Sequence, residues 1–301
     1  MPFVLINKAR MPSRIPGRPS EAYAIADKFF GGLARALKAN MNEVVNRQGA
    51  QDLARAIKSR DLTLSLRLIP GPYDTASGQN GIKRAQLALS NTQTKVLLAS
   101  GKKALAELQI KESLDLLNNR SVTFLQDNAQ KLGANIINSS AENVMRLITS
   151  SFTEGIPVDK LASLLKPHIG LHPRDANAVR RRLQAALDQG IKADFAVKQA
   201  ERYSMQLLEQ RAMRIARTEV IRAEAEGLQV GWGEAKNAGF LDADAQQVWI
   251  SGKESAGVCL LCSPLDNVKV KLGGTWDNGR GGTVSGPPLH VACRCSIAIA
   301  A

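Results

Sequence analysis

All four cysteines of the chain lie close together in the sequence, next to one of its three histidines. They are arranged as Cys259-x-x-Cys262 and then His290-x-x-Cys293-x-Cys295. Each short segment offers a close pair of sulfur or nitrogen donors, and the long glycine-rich stretch between the segments lets the two pairs converge. This is the arrangement that a tetrahedral metal ion requires, so we expect a metal site here.

Zinc is the metal that these donors favour, because it takes thiolate and imidazole ligands in a closed four-coordinate shell. Five donors compete for four places. Cys259 and Cys262 are the firmest pair, since a C-x-x-C turn directs both sulfurs to one ion. Cys293 and Cys295 lie on one side of an extended chain, whereas His290 and Cys293 converge in a turn.

The remaining donor would then support the shell from outside it. Disulfides or inert thiols are the alternative to a metal. A catalytic zinc is disfavoured, because a complete cysteine-rich shell leaves no position at which water could bind and be activated.

The elements expected around these donors are short strands. Three segments have strand composition, at residues 247–250, 268–270 and 296–299. Glycines make the stretch around Trp276 flexible, and Pro287-Pro288 stiffens the approach to His290. We therefore expect the donors to sit on a small sheet or hairpin.

Most of the remaining chain is predicted to be helical, with a core of aliphatic rather than aromatic residues, since 44% of residues are hydrophobic and only 4% aromatic. Apolar residues at helical spacing predict four helical stretches. These are a basic amphipathic helix from Glu21 with an interruption at Gly31-Gly32, one stripe of Ile110, Leu114 and Leu117, another from Leu125 to Ile136, and a long helix over about 194–237.

The fold class that follows is mainly α, with long helices in the N-terminal and central regions and a small α+β C-terminal module held by zinc. We divide the chain into a basic N-terminal arm with helices (residues 1–80), a helical region (81–190) and a C-terminal domain with the Cys/His cluster (191–301). His168 and His172 lie among prolines that break the helical pattern, and we expect them to be structural or exposed.

The net charge is +13, which suits a polyanionic partner such as DNA or an acidic protein, although a merely soluble charged surface is the alternative. Residues 1–60 hold eleven Lys and Arg against four Asp and Glu. This basic segment either contacts DNA or a protein partner, or is an ordinary solvated helix face. The candidate contact residues are Arg10, Arg14, Arg18, Lys28, Arg35 and Lys38.

The sequence also bears on compartment. No apolar run approaches the roughly 20 residues that span a bilayer, so we expect no membrane anchor. The first residues place a short apolar patch before the arginines, the reverse of a signal peptide. We therefore expect a reducing cytoplasm, where paired cysteines more often hold metal than form disulfides.

The long helix over 194–237 carries the polar segment Arg217-Thr218-Glu219. It reads either as an ordinary charged helix face, whose exposed pairs contribute a few tenths of a kcal/mol each, or as the point where Arg217 and Glu219 fasten the C-terminal module to the helix. The sequence leaves both interpretations open.

Taken in order, these segments resemble the phage head morphogenesis family, the minor capsid proteins similar to phage Mu protein F. The resemblance covers roughly the last third to half of the chain, and residues 1–150 carry no recognised motif. It departs from the family at Asn267, where glycine is usual, and at Val291-Ala292, where Pro-Asn is commoner; neither change removes a donor. The matching residues are Ala216-Arg217-Thr218-Glu219, Trp249, the segment from Val258 through Cys259 and Cys262 to Asp266, and the segment from Pro287 through His290 to Cys295.

The resemblance implies a low-copy virion component that joins the procapsid in the host cytoplasm and resides in the capsid interior or at the portal vertex. Its expected partners are the portal protein, the major capsid or scaffold protein, and double-stranded DNA bound without sequence preference during packaging or ejection. In this interpretation the protein is not an enzyme.

The alternative is a metal-dependent nuclease or transferase acting on DNA or a host target. His290 would be the base, Glu219 or Asp266 an acid or ligand, and Arg217 an anion clamp. The sequence disfavours this reading, because it has no acid cluster, no phosphate-binding glycine loop and no nucleophile beside an evident base.

Overall fold

The computed structural model describes residues 24–42, 55, 76–154, 170–254 and 257–300. Helices dominate this part of the chain, and a small strand-containing module follows them, as expected. No described helix is both long enough and apolar enough to cross a membrane. The candidate contacts Arg10, Arg14 and Arg18, as well as His168, lie outside the described residues.

Five described helices precede the strands: α1 (Ala24–Asn42), α2 (Ala76–Glu107), α3 (Asn119–Glu154), α4 (Pro173–Asp188) and α5 (Ala193–Asn237). The predicted long helix over 194–237 is confirmed by α5. In α3, Leu125, Leu132 and Ile136 are buried, as their spacing predicts.

Two details of the helical prediction are wrong. α1 runs without interruption through Gly31-Gly32, because its apolar residues Phe30 and Leu33 are buried on either side and their burial outweighs the helix cost of glycine. The stripe from Ile110 to Leu117 is not helical, since α2 ends at Glu107.

The end of α2 has a physical cause. Gln109 adopts a left-handed backbone with φ 58°, and the amide of Ile110 donates to the carbonyl of Leu105 at 3.0 Å. This is the hydrogen bond of a Schellman cap, which satisfies a terminal carbonyl and turns the chain off the helix axis. Glycine normally occupies such a position, so a glutamine here is no signal that the helix ends.

The strands form one three-stranded antiparallel sheet and two short hairpins. β1 is the central strand of the sheet, with β4 on one side and β7 on the other. Both pairings confirm the strands expected at 247–250, 268–270 and 296–299. The strands are β1 (Gln246–Ile250), β2 (Lys253–Glu254), β3 (Gly257–Val258), β4 (Lys269–Lys271), β5 (Trp276–Asp277), β6 (Thr283–Val284) and β7 (Ser296–Ala300).

The described residues divide into two compact units. Unit 1 comprises residues 24–33, 92–123 and 214–300, and unit 2 comprises 34–42, 55, 76–91, 124–154 and 170–213. The division into three regions predicted from the sequence stays a prediction.

In unit 1, α2 and α5 approach closely at glycines. A Cβ added to Gly227 would lie 2.3 Å from the Leu97 carbonyl oxygen, and one added to Gly231 would lie 2.7 Å from that of Gly101. Only glycine allows the two backbones to come this near. The contact fixes the position of the α5 segment that faces the strands.

Unit 2 contains a buried polar junction around Gly170. The Arg211 guanidinium donates to the Gly170 carbonyl at 2.6 Å, and the Asn143 amide donates to the Leu171 carbonyl at 2.7 Å. His172 then caps α4, because its Nδ1 accepts a hydrogen bond from the Arg174 amide. The structural role expected for His172 is confirmed.

Candidate metal centre

The two donor segments of unit 1 meet, as their spacing predicts. The sulfur atoms of Cys259 and Cys262 lie 3.4 and 3.3 Å from His290 Nε2, and the Cys262 and Cys293 sulfurs are 3.9 Å apart. Cys259, Cys262 and His290 form one group whose donor atoms lie within 4.8 Å of one another, and Cys262, Cys293 and Cys295 form a second. Cys262 belongs to both, so this cluster could hold a metal ion.

A tight turn presents the first pair of donors. The amides of Cys262 and Ser263 both donate to the Cys259 carbonyl, at 2.9 and 2.8 Å. The turn places Cys262 in the core and leaves Cys259 half-buried. Its two intervening leucines face outward, and Leu260 is 89% exposed.

Residues beside the first pair hold the turn in place. Ser251 donates its backbone amide to Asp266 Oδ1 at 2.8 Å and its hydroxyl to the Cys262 carbonyl at 3.1 Å. Trp249 exchanges backbone hydrogen bonds with the same loop, at Asn267 and Val268. Trp249 of β1 and Ser251 just after it therefore support the cysteine turn, and Asp266 at the end of that turn accepts the Ser251 amide.

A second turn presents the other donors. The Cys293 amide donates to the His290 carbonyl at 3.1 Å, and Ala292 between them has a left-handed backbone with φ 60°. The preceding Pro287-Pro288 bond is cis. Cys293 and Cys295 are buried, and His290 is half-buried beside them.

The His290 ring is oriented for binding through one nitrogen. Its Nδ1 lies 2.9 Å from the Val291 carbonyl oxygen. A carbonyl can only accept, so Nδ1 donates this hydrogen bond, and in the neutral ring Nε2 then carries the lone pair. That lone pair faces Cys259 and Cys262, which is the tautomer that a metal-binding histidine requires.

The buried thiols do not ionise alike. Hydrogen bonds with the thiols of Cys262 and Cys295 lower the pKa of Cys293 well below its ordinary value. The same kind of contact, with Cys293 and Cys295, raises the pKa of Cys262, and burial raises it further. The thiolate form is therefore favoured at Cys293, and thiolate is the form that binds metals.

Thr218 connects the second turn to α5. Its hydroxyl accepts a hydrogen bond from the Ala292 amide at 3.0 Å and donates one to the Arg214 carbonyl at 2.8 Å. Thr218 is only 8% exposed. A direct fastening of the second donor segment to α5 is thus made by Thr218, the residue between Arg217 and Glu219.

Arg217 and Glu219 have contacts on other elements of unit 1. The Arg217 guanidinium lies 5.8 Å from the centre of the Phe30 ring. Glu219 Oε2 accepts a hydrogen bond from the Gln93 amide at 3.0 Å, and its Oε1 is 3.8 Å from Arg222. These contacts connect α5 to α1 and α2.

A polar network missed by the sequence reasoning supports the same face of α5. Arg120 donates to Gln229 Oε1 at 2.7 Å, and the Gln229 amide nitrogen donates to the Ser285 carbonyl. Gln229 follows Thr218 by eleven residues, so both lie on one helix face. A buried glutamine within an apolar stripe was the available signal, since such a side chain needs partners.

The three candidate partner-contact residues of α1 have different environments. Lys28 and Arg35 are exposed. The Lys38 ammonium lies 2.6 Å from Glu209 Oε2, so its charge is already paired within unit 2. None of the three belongs to the donor cluster of the described residues.

Comparison of the chain with protein-family models, with curated proteins and with solved structures gave no match. Its function is therefore inferred from its own residues and their geometry.

Proposed function

We propose that this chain is a phage minor head protein that acts in head morphogenesis, associated with the portal inside the capsid. The observation that carries the proposal is that three separate segments of the family resemblance meet at one place. Thr218 bonds to Ala292, Cys262 lies against His290, and Asp266 braces the cysteine turn. A resemblance made of residues that contact one another is harder to obtain by chance than one made of scattered residues.

The two departures from the family support the same interpretation. Asn267 stands where the family usually has glycine, and its φ is 63°. Ala292 stands where asparagine is commoner, and its φ is 60°. Glycine and asparagine are the residues that most readily adopt this left-handed backbone, so the family's preferences suit the turns that this chain makes.

Zinc is the metal that we assign to the cluster, in a structural role. Zn–S bonds of about 2.3 Å and Zn–N bonds of about 2.0–2.1 Å place tetrahedral donors roughly 3.8 Å apart for two sulfurs and about 3.5 Å for sulfur and nitrogen. The measured separations are 3.9 Å, 3.4 Å and 3.3 Å. We assign three ligands to Cys259, Cys262 and His290, whose donor atoms lie within 4.8 Å of one another. For the fourth we choose Cys293 of the second group, whose sulfur lies 3.9 Å from that of Cys262, and we leave Cys295 outside the shell, where its amide approaches the Cys293 sulfur at 3.5 Å.

Metal analysis of purified protein tests this assignment. We expect about one zinc per chain in the wild type and in Cys295→Ser, and none retained in Cys262→Ser or Cys293→Ser. Cys295→Ser is the matched control, because it removes a buried thiol two residues from a ligand. Metal-free wild-type protein would overturn the zinc site, and loss of zinc in Cys295→Ser but not Cys293→Ser would reverse the ligand choice.

Location in the head tests the function itself. An epitope-tagged chain should replace the wild type during infection, and purified heads should be imaged by cryo-electron microscopy with a gold-labelled antibody fragment. We expect a few copies, all at the vertex that holds the portal. Tagged protein that is absent from heads, or spread evenly over the capsid, would contradict the proposal.

Incubation with duplex DNA and divalent metal tests the enzyme alternative. The proposed head protein leaves the duplex intact. Cleavage by the wild type that disappears in His290→Ala would favour a metal-dependent nuclease instead.

A further inference from the structure

Positive charge is distributed unevenly among the described residues. Residues 214–300, which carry the donor cluster, hold nine Lys and Arg and nine Asp and Glu, so their formal charge is zero. The described part of unit 2 holds fourteen Lys and Arg, excluding Arg55, against eight Asp and Glu. Among these described residues, a polyanion is therefore attracted to unit 2 rather than to the segment that carries the donor cluster.

Helix α4 of unit 2 concentrates this charge on one face. Its buried residues Ala176, Val179, Leu183 and Ala186 define the inner face. Opposite them, Arg174 and Arg181 are exposed and lie seven residues apart, hence on the same side of the helix. On this face Ala178 lies between the two arginines and Ala185 follows Arg181. Their short side chains do not cover the guanidinium groups.

A third arginine is held beside this face. Arg182 is exposed, and its guanidinium carbon lies 4.8 Å from the centre of the Tyr203 ring of α5. Stacking on the ring restricts the Arg182 side chain before any ligand binds. Binding therefore costs less rotamer entropy than it would for a freely moving arginine. The acid nearest to these arginines on the outer face of α4 is Asp188, in the last turn. It accepts a hydrogen bond from Gln184 at 2.9 Å.

The spacing suits the phosphates of a duplex. Seven helical residues rise about 10.5 Å, at about 1.5 Å each, while duplex DNA carries one charge per about 1.7 Å of its axis. Each arginine can therefore meet a different phosphate. A planar guanidinium also donates two parallel hydrogen bonds to one phosphate, which a lysine cannot do.

We propose that the basic face of α4, formed by Arg174, Arg181 and Arg182, binds the sugar-phosphate backbone of double-stranded DNA without sequence preference. This inference rests on the proposed function in taking DNA rather than an acidic protein as the partner. It places a DNA contact on α4 in addition to the N-terminal candidate residues, and it does not involve the candidate metal centre.

Fluorescence anisotropy of the full chain with a labelled 30-base-pair duplex, repeated over a range of salt concentrations, tests this surface. The variant is Arg174→Gln/Arg181→Gln/Arg182→Gln. We expect weaker binding and a plot of log affinity against log salt whose slope is smaller by about 2.7, since each phosphate contact contributes about 0.9. The triple Arg→Lys variant keeps the charge and should keep most of the slope.

The matched control removes three exposed charges from unit 1, in Lys102→Gln/Lys111→Gln/Arg280→Gln. It changes net charge by the same amount, so an equal loss of slope in both variants would overturn the proposal. An unchanged slope in the α4 variant would do the same. Circular dichroism of each variant confirms that the helices remain.

Polyglutamate serves as the probe for an acidic protein partner. If it binds the wild type as tightly as the duplex and depends equally on the α4 arginines, the surface is a protein-binding one and the DNA assignment is wrong. The head-location experiment is independent of these measurements. If the chain sits at the portal but does not bind duplex DNA, the proposed DNA-binding surface is wrong and the proposed function stands.

Discussion

Thr218 shows how one hydroxyl can position a candidate metal centre without being one of its donors. Its oxygen holds the amide of Ala292, midway between His290 and Cys293. Groups that orient metal ligands affect metal affinity nearly as directly as some ligands do.

Thr218→Val keeps the shape of the side chain and removes the acceptor. The Ala292 amide would lose its partner at a nearly buried position, so we expect a loss of about 1–3 kcal/mol in stability and zinc binding weaker by about tenfold or more. Thermal unfolding and competition with a coloured zinc chelator measure the two effects. Thr218→Ser restores the hydroxyl and should restore the affinity; equal zinc affinity in all three proteins would contradict this role.

Ala292 stores strain in the same turn. A residue with a Cβ costs roughly 1 kcal/mol or more at a left-handed backbone position, and the φ of Ala292 is 60°. We expect Ala292→Asn to raise the melting temperature, because asparagine tolerates this conformation, and Ala292→Val to lower it. Calorimetry of the zinc-loaded protein measures both. The opposite order would show that the turn relaxes at no cost.

At the scale of elements, the α2–α5 contact depends on atoms that glycine lacks. Gly227 has the Leu97 backbone against it, whereas a Cβ at Gly233 of the same helix would meet nothing within 4 Å. Alanine at position 233 therefore tests helix propensity alone, whereas alanine at position 227 also tests the space available for a methyl group.

We expect Gly227→Ala to destabilise the protein by about 1–3 kcal/mol, because backbone must move to admit the methyl group. Gly233→Ala should instead stabilise it by about 0.5–1 kcal/mol, the helix preference of alanine over glycine. Urea unfolding measures both changes. If the two substitutions had the same sign, the close approach of α2 and α5 would not be what requires Gly227.

The elements also show where sequence reasoning succeeds and where it stops. The donors, the three principal strands and α5 follow from patterns within a few residues, such as alternation, helical period and C-x-x-C spacing. The helix end at Gln109 and the continuity of α1 through Gly31-Gly32 depend on contacts and backbone angles that the local pattern does not contain. For the same reason Thr218 could be placed near the site, but its partner could not be identified.

At the scale of the whole molecule, the three tryptophans of the chain report on one region. Trp232, Trp249 and Trp276 are all buried in the core cluster that contains Cys262, Cys293 and Cys295. Most helical residues lie outside that cluster. Tryptophan fluorescence and helical circular dichroism therefore measure different parts of the protein.

Removal of the metal by a chelator should shift the tryptophan emission to longer wavelength, because water reaches the indoles when the cluster opens. We expect most of the helical signal at 222 nm to remain, and added zinc to reverse the emission change. Cys262→Ser should show the shifted emission before any chelator is added. Loss of both signals together would show that the helices depend on the metal as well.

The pairing of β1 with β7 has a consequence for biosynthesis. Gln246 of β1 lies opposite Ala300 of β7, more than fifty residues later in the chain, and Cys293 and Cys295 directly precede β7. Helices form from neighbouring residues, whereas such a sheet joins residues that are far apart in the sequence. Synthesis also reaches Cys259 and Cys262 before it reaches Cys293 and Cys295. We infer that the helices fold first during translation, and that the sheet and the Cys/His cluster close together after them.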